Sequence, residues 1–423
     1  MLKLFSAAVL SKGLNAVLQV ILLSVISEKL SKGNASLYFF SLSVASMLAI
    51  LISFGVNHFL VRNICSDSNI QKKGDYNISV ESSNMLSLFT IFGLCIALFC
   101  VLLDFIYTEI SLLIFFFAYN ISLQVISVEV SRALNKPMLS VITSGSLLTL
   151  AIVLVLSLMT KSANNTYFIE IFSVVLFLSI TFLNFILYFI IGFNFKADKG
   201  VFSSFFISIK VLVPALLFQL SLMVLMQGDI IIAHYNFTHE VSAIYGASVR
   251  MMSLVTIPLL LFQSVSTPLM SRFYNGNRNL DNAGFVIYLF SISICLILSN
   301  TIAYVLTPNL VSIIYGENYK GVEDIVKNLI IYSSPASLLW FIPVYFYQRG
   351  ISRPRALRTF VFSIVVFIVL YYFIDNYILL SMLYPSLLSL LYILGFLVYL
   401  KDGFKFYPVL PNIKILIGVI KSA

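Results

Sequence analysis

Long apolar stretches separated by short polar breaks run along most of the chain and predict a bundle of membrane-spanning helices. Each stretch holds about 20 residues with few charges, which is the length an α-helix needs to cross the roughly 30 Å apolar core of a bilayer. The predicted spans cover residues 5–27, 36–60, 84–106, 110–130, 138–159, 167–192, 211–233, 243–268, 284–306, 328–347, 359–375 and 377–400. The pattern therefore predicts an all-α polytopic membrane protein with about twelve transmembrane helices and both termini on one side.

A polar break in the middle of the chain, residues 193–204, divides these spans into two lobes of six helices. The predicted units are an N-terminal lobe at 1–195, a C-terminal lobe at 196–400 and a cytoplasmic tail at 401–423. An internal echo supports the division, because Ser36–Val61 and Ala243–Met270 each carry an early tyrosine followed three positions later by a serine. Since six is even, the two lobes would be parallel repeats about an axis along the membrane normal.

Composition agrees with a membrane protein and excludes a soluble domain. Of 423 residues, 60% are apolar and 10% are charged, against about 45–50% and about 25% in soluble chains. Of the 26 Lys and Arg residues, 19 fall on the side of the termini, 5 on the opposite side, and Lys12 and Arg250 within spans. The positive-inside rule thus places both termini in the cytoplasm. Orientation and attraction to anionic membrane lipids account for the net charge of +9, so nucleic acid is not an expected partner.

The first span contains a polar stripe. Lys12, Asn15 and Gln19 are spaced three and four residues apart and therefore share one helical face. A basic residue at the centre of a span costs about 2.5–3.5 kcal/mol on insertion scales, so it usually faces a cavity or a partner. The stripe predicts a lining for an internal cavity; the alternative is that Lys12 reaches the cytoplasmic surface along its own side chain.

The eighth span carries a similar stripe around the second internal cation. Gly246, Arg250 and Ser253 share one face, and Arg250 is predicted to lie about two turns below the external surface. One interpretation is again a cavity-lining cation. The other is a structural ion pair with Asp229 or Glu240, since span seven is antiparallel to span eight.

Carboxylates and amides within or at the ends of spans complete the candidate site. Asp229 in span seven and Glu129 at the end of span four are candidates for an ion-coupling group or an ion pair. The alternative for Asp229 is that its charge simply marks the external end of its helix. Asn120 and Gln124 in span four are candidates for lining the substrate cavity, with hydrogen bonding between helices as the alternative.

Catalytic chemistry has little support in this sequence. The three histidines and four cysteines have no metal-ligand spacing, and no phosphate-binding loop or nucleophile elbow is present. We expect no catalytic residues, no metal and no cofactor. Transport is the leading class of function. A membrane-embedded polymerase or transferase of lipid-linked glycans is the rival, disfavoured because the longest predicted external loop, residues 307–327, is short.

Several motifs in order along the chain resemble a known family. They are the external stretch PNLVSIIYGENYKG at 308–321, the Gln227–Ile230 segment followed by Ile244–Ser248 and Arg250, the Asn34–Arg62 segment, and the Arg349–Pro354 loop. Together these resemble polysaccharide flippases of the Wzx type, within the multidrug/oligosaccharidyl-lipid/polysaccharide (MOP) exporter superfamily.

The resemblance implies two six-helix lobes around a cavity that opens alternately to each side. It implies a bacterial inner-membrane protein whose cargo is an undecaprenyl diphosphate-linked oligosaccharide, moved to the periplasmic leaflet for O-antigen or related glycan assembly, with H⁺ or Na⁺ as a coupling ion and other glycan-assembly membrane proteins as partners. A drug or metabolite exporter of the same superfamily is the alternative. It is disfavoured because the drug-exporting branch handles cations with acidic groups in the first lobe, whereas span one here carries Lys12.

The predicted orientation can be tested by cysteine labelling. Cysteines introduced at Asn164, Asn236 and Asn318 are expected to react with an impermeant thiol reagent from outside, because the cation count places them there. Cysteines introduced at Lys73, Asn277 and Ser352 are expected to react only after permeabilisation. External labelling at Ser352 would overturn the orientation.

Overall fold

The computed structural model describes residues 2–53, 110–133, 143, 146–158, 165–185, 201–259, 282–349 and 351–401. Throughout these ranges the regular structure is helical, as the pattern of apolar stretches predicted. The predicted third span, residues 84–106, and the predicted tail, residues 401–423 apart from Lys401, lie outside the described residues.

Twelve α-helices occur among the described residues, and we number them along the chain. They are α1 (Leu2–Lys29), α2 (Lys32–Ser53), α3 (Ile110–Ala133), α4 (Ser146–Leu158), α5 (Asn165–Phe185), α6 (Val201–Asn236), α7 (His239–Val255), α8 (Asn282–Tyr315), α9 (Val322–Leu338), α10 (Phe341–Arg349), α11 (Arg353–Phe373) and α12 (Tyr377–Lys401). A 3₁₀ turn at Gly316–Tyr319 joins α8 to α9. In the described part of the chain, α2, α11, and long segments of α6, α8 and α12 are long and apolar enough to cross a membrane.

The predicted external loop at 307–327 was too long, because α8 continues through Pro308 to Tyr315. Pro308 and Asn309 suggested a loop, but the turns that follow present Val311, Ile314 and Tyr315 to the protein core. Tyr315 also donates a hydrogen bond from its hydroxyl to the carbonyl of Ala247 on α7, at 3.0 Å. Proline disfavours continuation of a helix, but membrane helices tolerate it. Here the burial of these residues and the hydrogen bond of Tyr315 stabilise the continued helix.

The predicted tenth span, residues 328–347, is two helices, with a break at Leu339 and Trp340. Pro343 has no backbone N–H, so it cannot donate to the carbonyl of Leu339. That carbonyl instead accepts from the N–H of Ile342 at 3.0 Å. The break is anchored because Trp340 is fully buried.

Most helix packing occurs within each predicted half of the chain. In the first half α2 packs on α3, α3 on α5, and α1 on α4; in the second, α6 packs on α11 and α12, and α9 on α7, α8 and α12. The two halves meet mainly through α1 and α2, which contact α6, α7 and α8. The division at residue 195 stays a prediction, since residues 186–200 lie outside the described part.

The contact between α2 and α7 depends on a glycine. A Cβ atom added to Gly246 would lie 2.7 Å from Cβ, Cγ and Cδ2 of Phe39, which is well inside normal van der Waals contact. Phe39 is buried, so it has little room to move. Gly246 therefore lets the two helices approach closely, as small residues commonly do between membrane helices.

We call the contact of α1 and α2 with α6, α7 and α8 the seam between the halves. Substituting Gly246 is expected to loosen this seam. Gly246→Ala should lower the stability of the detergent-solubilised protein by about 1–3 kcal/mol, the usual cost of overpacking, as measured by thermal denaturation monitored by size exclusion. Gly13→Ala on α1 is the matched control, because a Cβ there meets no atom within 4 Å. Equal melting temperatures for the two variants would contradict this account of the seam.

Candidate functional site at the seam between the halves

Arg250 on α7 lies at the junction of three helices. Its Nη2 donates to Ser43 Oγ on α2 at 2.9 Å and to Gln227 Oε1 on α6 at 3.3 Å. Ser43 also donates to Gln227 Oε1 at 3.2 Å, which closes a triangle of polar contacts across the seam. Nε of Arg250 is buried and has no hydrogen-bond partner. We call Ser43, Gln227 and Arg250 the arginine triangle.

The arginine triangle lies deep in the bundle. Ser43 and Arg250 each come 11 residues after the start of their helices, and Gln227 comes 9 residues before the end of α6. At 1.5 Å per residue this is roughly 14–17 Å from the helix ends that meet at this side, or about half of the apolar thickness of a bilayer. Arg250 therefore lies about three turns after the start of α7.

The predicted polar stripes of α1 and α7 also meet. Ser253 Oγ lies 3.3 Å from Gln19 Oε1, to which it donates, and it also donates to the carbonyl of Arg250 at 2.5 Å. Oδ1 of Asn15, one turn from Gln19 on α1, is buried without a hydrogen-bond partner. The structure thus brings Gln19, Ser253 and Arg250 into one connected network. The amide oxygen of Asn15 and the Nε of Arg250 retain unused hydrogen-bonding capacity beside it.

The internal echo of the sequence pairs positions that meet in the structure. Aligning Tyr38 with Tyr245 pairs Ser43 with Arg250, which are 207 residues apart and hydrogen-bonded. The same alignment pairs Phe39 with Gly246, which are also in contact. Equivalent positions of two repeats face each other when a two-fold axis passes between them. The arginine triangle therefore lies where the predicted pseudo-two-fold axis would cross the seam.

Asp229 lies in the same region but does not pair directly with Arg250. It is buried, and its two carboxylate oxygens accept from the N–H of Ile230 at 2.9 Å and from the hydroxyl of Tyr245 at 3.1 Å. Among the described residues no salt bridge joins Asp229 or Glu240 to Arg250. Helix α6 continues to Asn236, so Asp229 lies two turns inside its helix. The site holds a buried carboxyl group and a guanidinium with separate hydrogen-bond partners.

The remaining predicted site residues are further from this network or outside it. Asn120 is fully buried, and its Oδ1 accepts from Nε2 of Gln124 at 2.5 Å, a bond within α3 itself. Within the described side chains no hydrogen bond joins this pair to the arginine triangle. The side chains of Lys12 and Glu129 lie outside the described part, so their assignments stay predictions.

Sequence reasoning missed Ser43, Gln227 and Tyr245 as members of the site. A serine in an apolar span carries no signal of its own, because serine is common between membrane helices. The internal echo could have identified it, since the alignment of the two tyrosines places Ser43 opposite Arg250. Among the described residues no group of three or more His, Cys, Asp or Glu side chains is placed to hold a metal ion.

No protein-family model matches the chain, and no curated protein matches it significantly. Solved structures do match over nearly the whole chain. A MOP superfamily transporter from Pyrococcus furiosus, for which a reverse polarity of the binding pocket suggests a different function, aligns with a TM-score of 0.58 and 12% identity over 94% of each chain. A MATE protein in complex with MaL6 aligns with a TM-score of 0.57 and 13% identity, over 93% of this chain and 97% of that one.

A third structure, the outward-facing conformation of a multidrug resistance MATE family transporter of the MOP superfamily, aligns with a TM-score of 0.56 and 14% identity. The alignment covers 93% of this chain and 96% of that one. At these identities the likeness establishes the fold. The predicted all-α bundle is confirmed, and the chain has the fold of the MATE transporters of the MOP superfamily.

Proposed function

We propose that this protein is a membrane transporter that moves an anionic, lipid-linked oligosaccharide from the cytoplasmic to the periplasmic leaflet by alternating access. The cargo we infer is an undecaprenyl diphosphate-linked repeat unit, and the setting is the bacterial inner membrane with both termini in the cytoplasm. The observation that carries the proposal is Arg250, a cation at mid-depth in the seam whose partners are neutral and whose Nε has none.

A guanidinium in this position favours an anionic ligand. Placing Arg in a span costs about 2.5–3.5 kcal/mol on insertion scales. The hydroxyl of Ser43 and the amide of Gln227 offset part of this cost, and no carboxylate among the described residues forms a salt bridge with Arg250. Phosphate offers charge and several acceptor oxygens, and charge-assisted hydrogen bonds are about twice as strong as neutral ones. A diphosphate would therefore satisfy the guanidinium better than its present partners do.

Neighbouring amides and hydroxyls suit the sugar part of the same cargo. Gln227 and Ser253 contact Arg250, Gln19 contacts Ser253, and Asn15 has an unused buried acceptor. Sugar hydroxyls both donate and accept, as amide and serine side chains do. Asn120, Gln124 and Lys12 would extend this lining in the first half.

The charge at the seam also argues against export of cationic drugs. The solved structures with this fold include a multidrug resistance MATE transporter. They also include the Pyrococcus furiosus transporter, for which a reverse polarity of the binding pocket suggests a different function. A cationic drug would be repelled by the charge of Arg250. An anionic cargo is attracted to the same group, so we prefer it to a cationic drug or metabolite.

Substitution of Arg250 tests the proposal. Arg250→Ala is expected to lower export of the lipid-linked glycan by roughly 10–100-fold, because a charge-assisted hydrogen bond contributes about 1.5–3 kcal/mol. Arg250→Lys should retain more activity, since it keeps the charge but not the planar, bidentate contact. The measurement is complementation of a flippase-null strain, with accumulated lipid-linked glycan identified by mass spectrometry and membrane abundance by immunoblotting.

Arg358→Ala is the matched control, because Arg358 is an exposed cation on α11. Lys12→Ala is expected to act in the same direction as Arg250→Ala. If Arg250→Ala exported glycan normally at normal abundance, Arg250 would be ruled out as the cation that binds the anionic cargo. Appearance of longer glycans without translocation would instead identify a polymerase.

Asp229 is our candidate for coupling transport to an H⁺ or Na⁺ gradient. Its carboxyl group is buried beside Tyr245 and close to the seam, where protonation or ion binding would favour one arrangement of the halves over the other. Glu129 is the second candidate, by position at the inner end of α3.

Coupling is tested with reconstituted protein and a short fluorescent undecaprenyl diphosphate sugar. An imposed proton or sodium gradient should accelerate translocation by the wild-type protein, and Asp229→Asn should reduce that acceleration while Arg358→Ala does not. Translocation that is insensitive to both gradients would refute coupling and leave the flippase proposal intact.

A further inference from the structure

The two halves are joined a second time near the outer ends of their helices, above the arginine triangle. Lys32, the first residue of α2, places its Nζ 3.5 Å from the centre of the Tyr319 ring. Tyr319 lies in the 3₁₀ turn of the second half and is almost fully buried. This is a cation–π contact that ties the start of α2 to the connection between α8 and α9.

A second set of contacts lies one turn further in. Ser36 Oγ lies 2.9 Å from both His234 Nδ1 on α6 and Ser242 Oγ on α7. The ring of Phe40, one turn further along α2, stacks on that of His234 with centroids 4.3 Å apart. Ser36 and Ser242 are both buried. We call Lys32, Ser36, His234, Ser242 and Tyr319 the outer seam.

The outer seam and the pair of Phe39 and Gly246 lie in order between the helix ends and the arginine triangle. Along α2 the order is Lys32, Ser36, Phe39 and Ser43, and each residue contacts the second half. A ligand bound at Arg250 would have to pass through this layer to leave between α2 and α7 toward the outer ends. The layer therefore blocks that route in this conformation.

The chain around Tyr319 also has backbone features suited to rearrangement. Gly316 and Gly321, which bracket the residues between the two helices, have positive φ angles of 58° and 98°. Glycine adopts such angles without a steric penalty, and residues of this kind can absorb the backbone rotations of a hinge. A Cβ at Gly316 would meet no atom within 4 Å, so packing does not explain the glycine there.

We propose that the outer seam is the external gate of the transporter, and that Tyr319 is its movable latch. This inference rests on the proposed function and on the predicted orientation, which makes these helix ends external. Its contacts suit a gate because each is weak: a cation–π contact contributes about 0.5–2 kcal/mol and a neutral hydrogen bond about 0.5–1.5 kcal/mol. A set of such contacts holds the halves together and still separates when cargo binding favours the open form.

A disulfide across the gate tests this directly. Ser36→Cys and Ser242→Cys would be combined in a variant whose four native cysteines are replaced, because Oγ atoms 2.9 Å apart place the two Cβ atoms within reach of a disulfide. Oxidation is expected to abolish translocation of fluorescent undecaprenyl diphosphate sugar, and reduction by dithiothreitol to restore it. Full translocation by the cross-linked protein would overturn the proposal.

The matched control is a cross-link within one half. Asn328→Cys with Ser381→Cys pairs α9 with α12, where Asn328 Nδ2 lies 3.1 Å from Ser381 Oγ, and mass spectrometry is used to confirm that the disulfide has formed before transport is measured. This cross-link should leave translocation unchanged, because both helices move together with the second half. A loss equal to that of the gate cross-link would mean that oxidation or rigidity in general, rather than the gate, stops transport.

Labelling tests the latch without any assay of transport, so failure of the gate can be told apart from failure of the proposed function. A cysteine at Ser43 should react slowly with an impermeant thiol reagent from outside. Tyr319→Ala should accelerate that reaction about two- to thirtyfold, because losing a cation–π contact of about 0.5–2 kcal/mol shifts the opening equilibrium by that factor. Tyr319→Phe keeps the ring and should leave the rate unchanged. An unchanged rate with Tyr319→Ala would exclude Tyr319 as a latch even if translocation proceeds as proposed.

Discussion

The architecture depends on the placement of one guanidinium in a medium that solvates charge poorly. Arg250 can remain charged inside the bundle only because polar groups from two other helices are brought to it. Those groups, Ser43 and Gln227, come from opposite halves of the chain, so the need to solvate one cation also holds the halves in register. The hydroxyl and the amide stabilise the charge without neutralising it, which is why we propose an anion as the ligand.

Close packing makes this solvation possible. Ser43 reaches Arg250 because α2 and α7 approach closely, and they approach closely because Gly246 has no side chain to oppose Phe39. The apolar contact and the polar contact are separated by a single turn on each helix. The pairing of α2 with α7 therefore depends on shape where Phe39 meets Gly246 and on hydrogen bonding one turn further, where Ser43 meets Arg250. Both are needed because the hydrophobic effect does not distinguish one apolar helix from another in a bilayer.

Sequence reasoning recovered features that belong to a single helix and missed those that depend on the approach of two. The stripe of Gly246, Arg250 and Ser253 could be predicted because helical periodicity alone places these residues on one face. Its partner Ser43 could not, because an isolated serine has no distinguishing period or cost. The meeting of Gln19 with Ser253 was likewise set by how α1 crosses α7.

The errors in helix bounds have the same origin. Pro308 suggested a helix end by its local chemistry, yet the following turns are held in helix by burial of Ile314 and by the contact of Tyr315 with α7. Pro343 does break a span, because there the unpaired carbonyl of Leu339 finds a partner three residues on. Whether a proline ends a membrane helix thus depends on what the next turns contact, and one sequence does not contain that information.

If the two halves arose by duplication, as the internal echo predicts, the 207-residue register between them has a consequence for how the copies diverge. Positions that face each other across a two-fold axis meet their own copies in a perfect repeat, so identical residues there must tolerate one another. Two arginines in contact would repel strongly away from water, and two phenylalanines would not fit where Phe39 meets Gly246. Such an axis would therefore be where the two copies are under pressure to become unlike. At the matched positions this chain pairs a large residue with the smallest one and a cation with a hydroxyl.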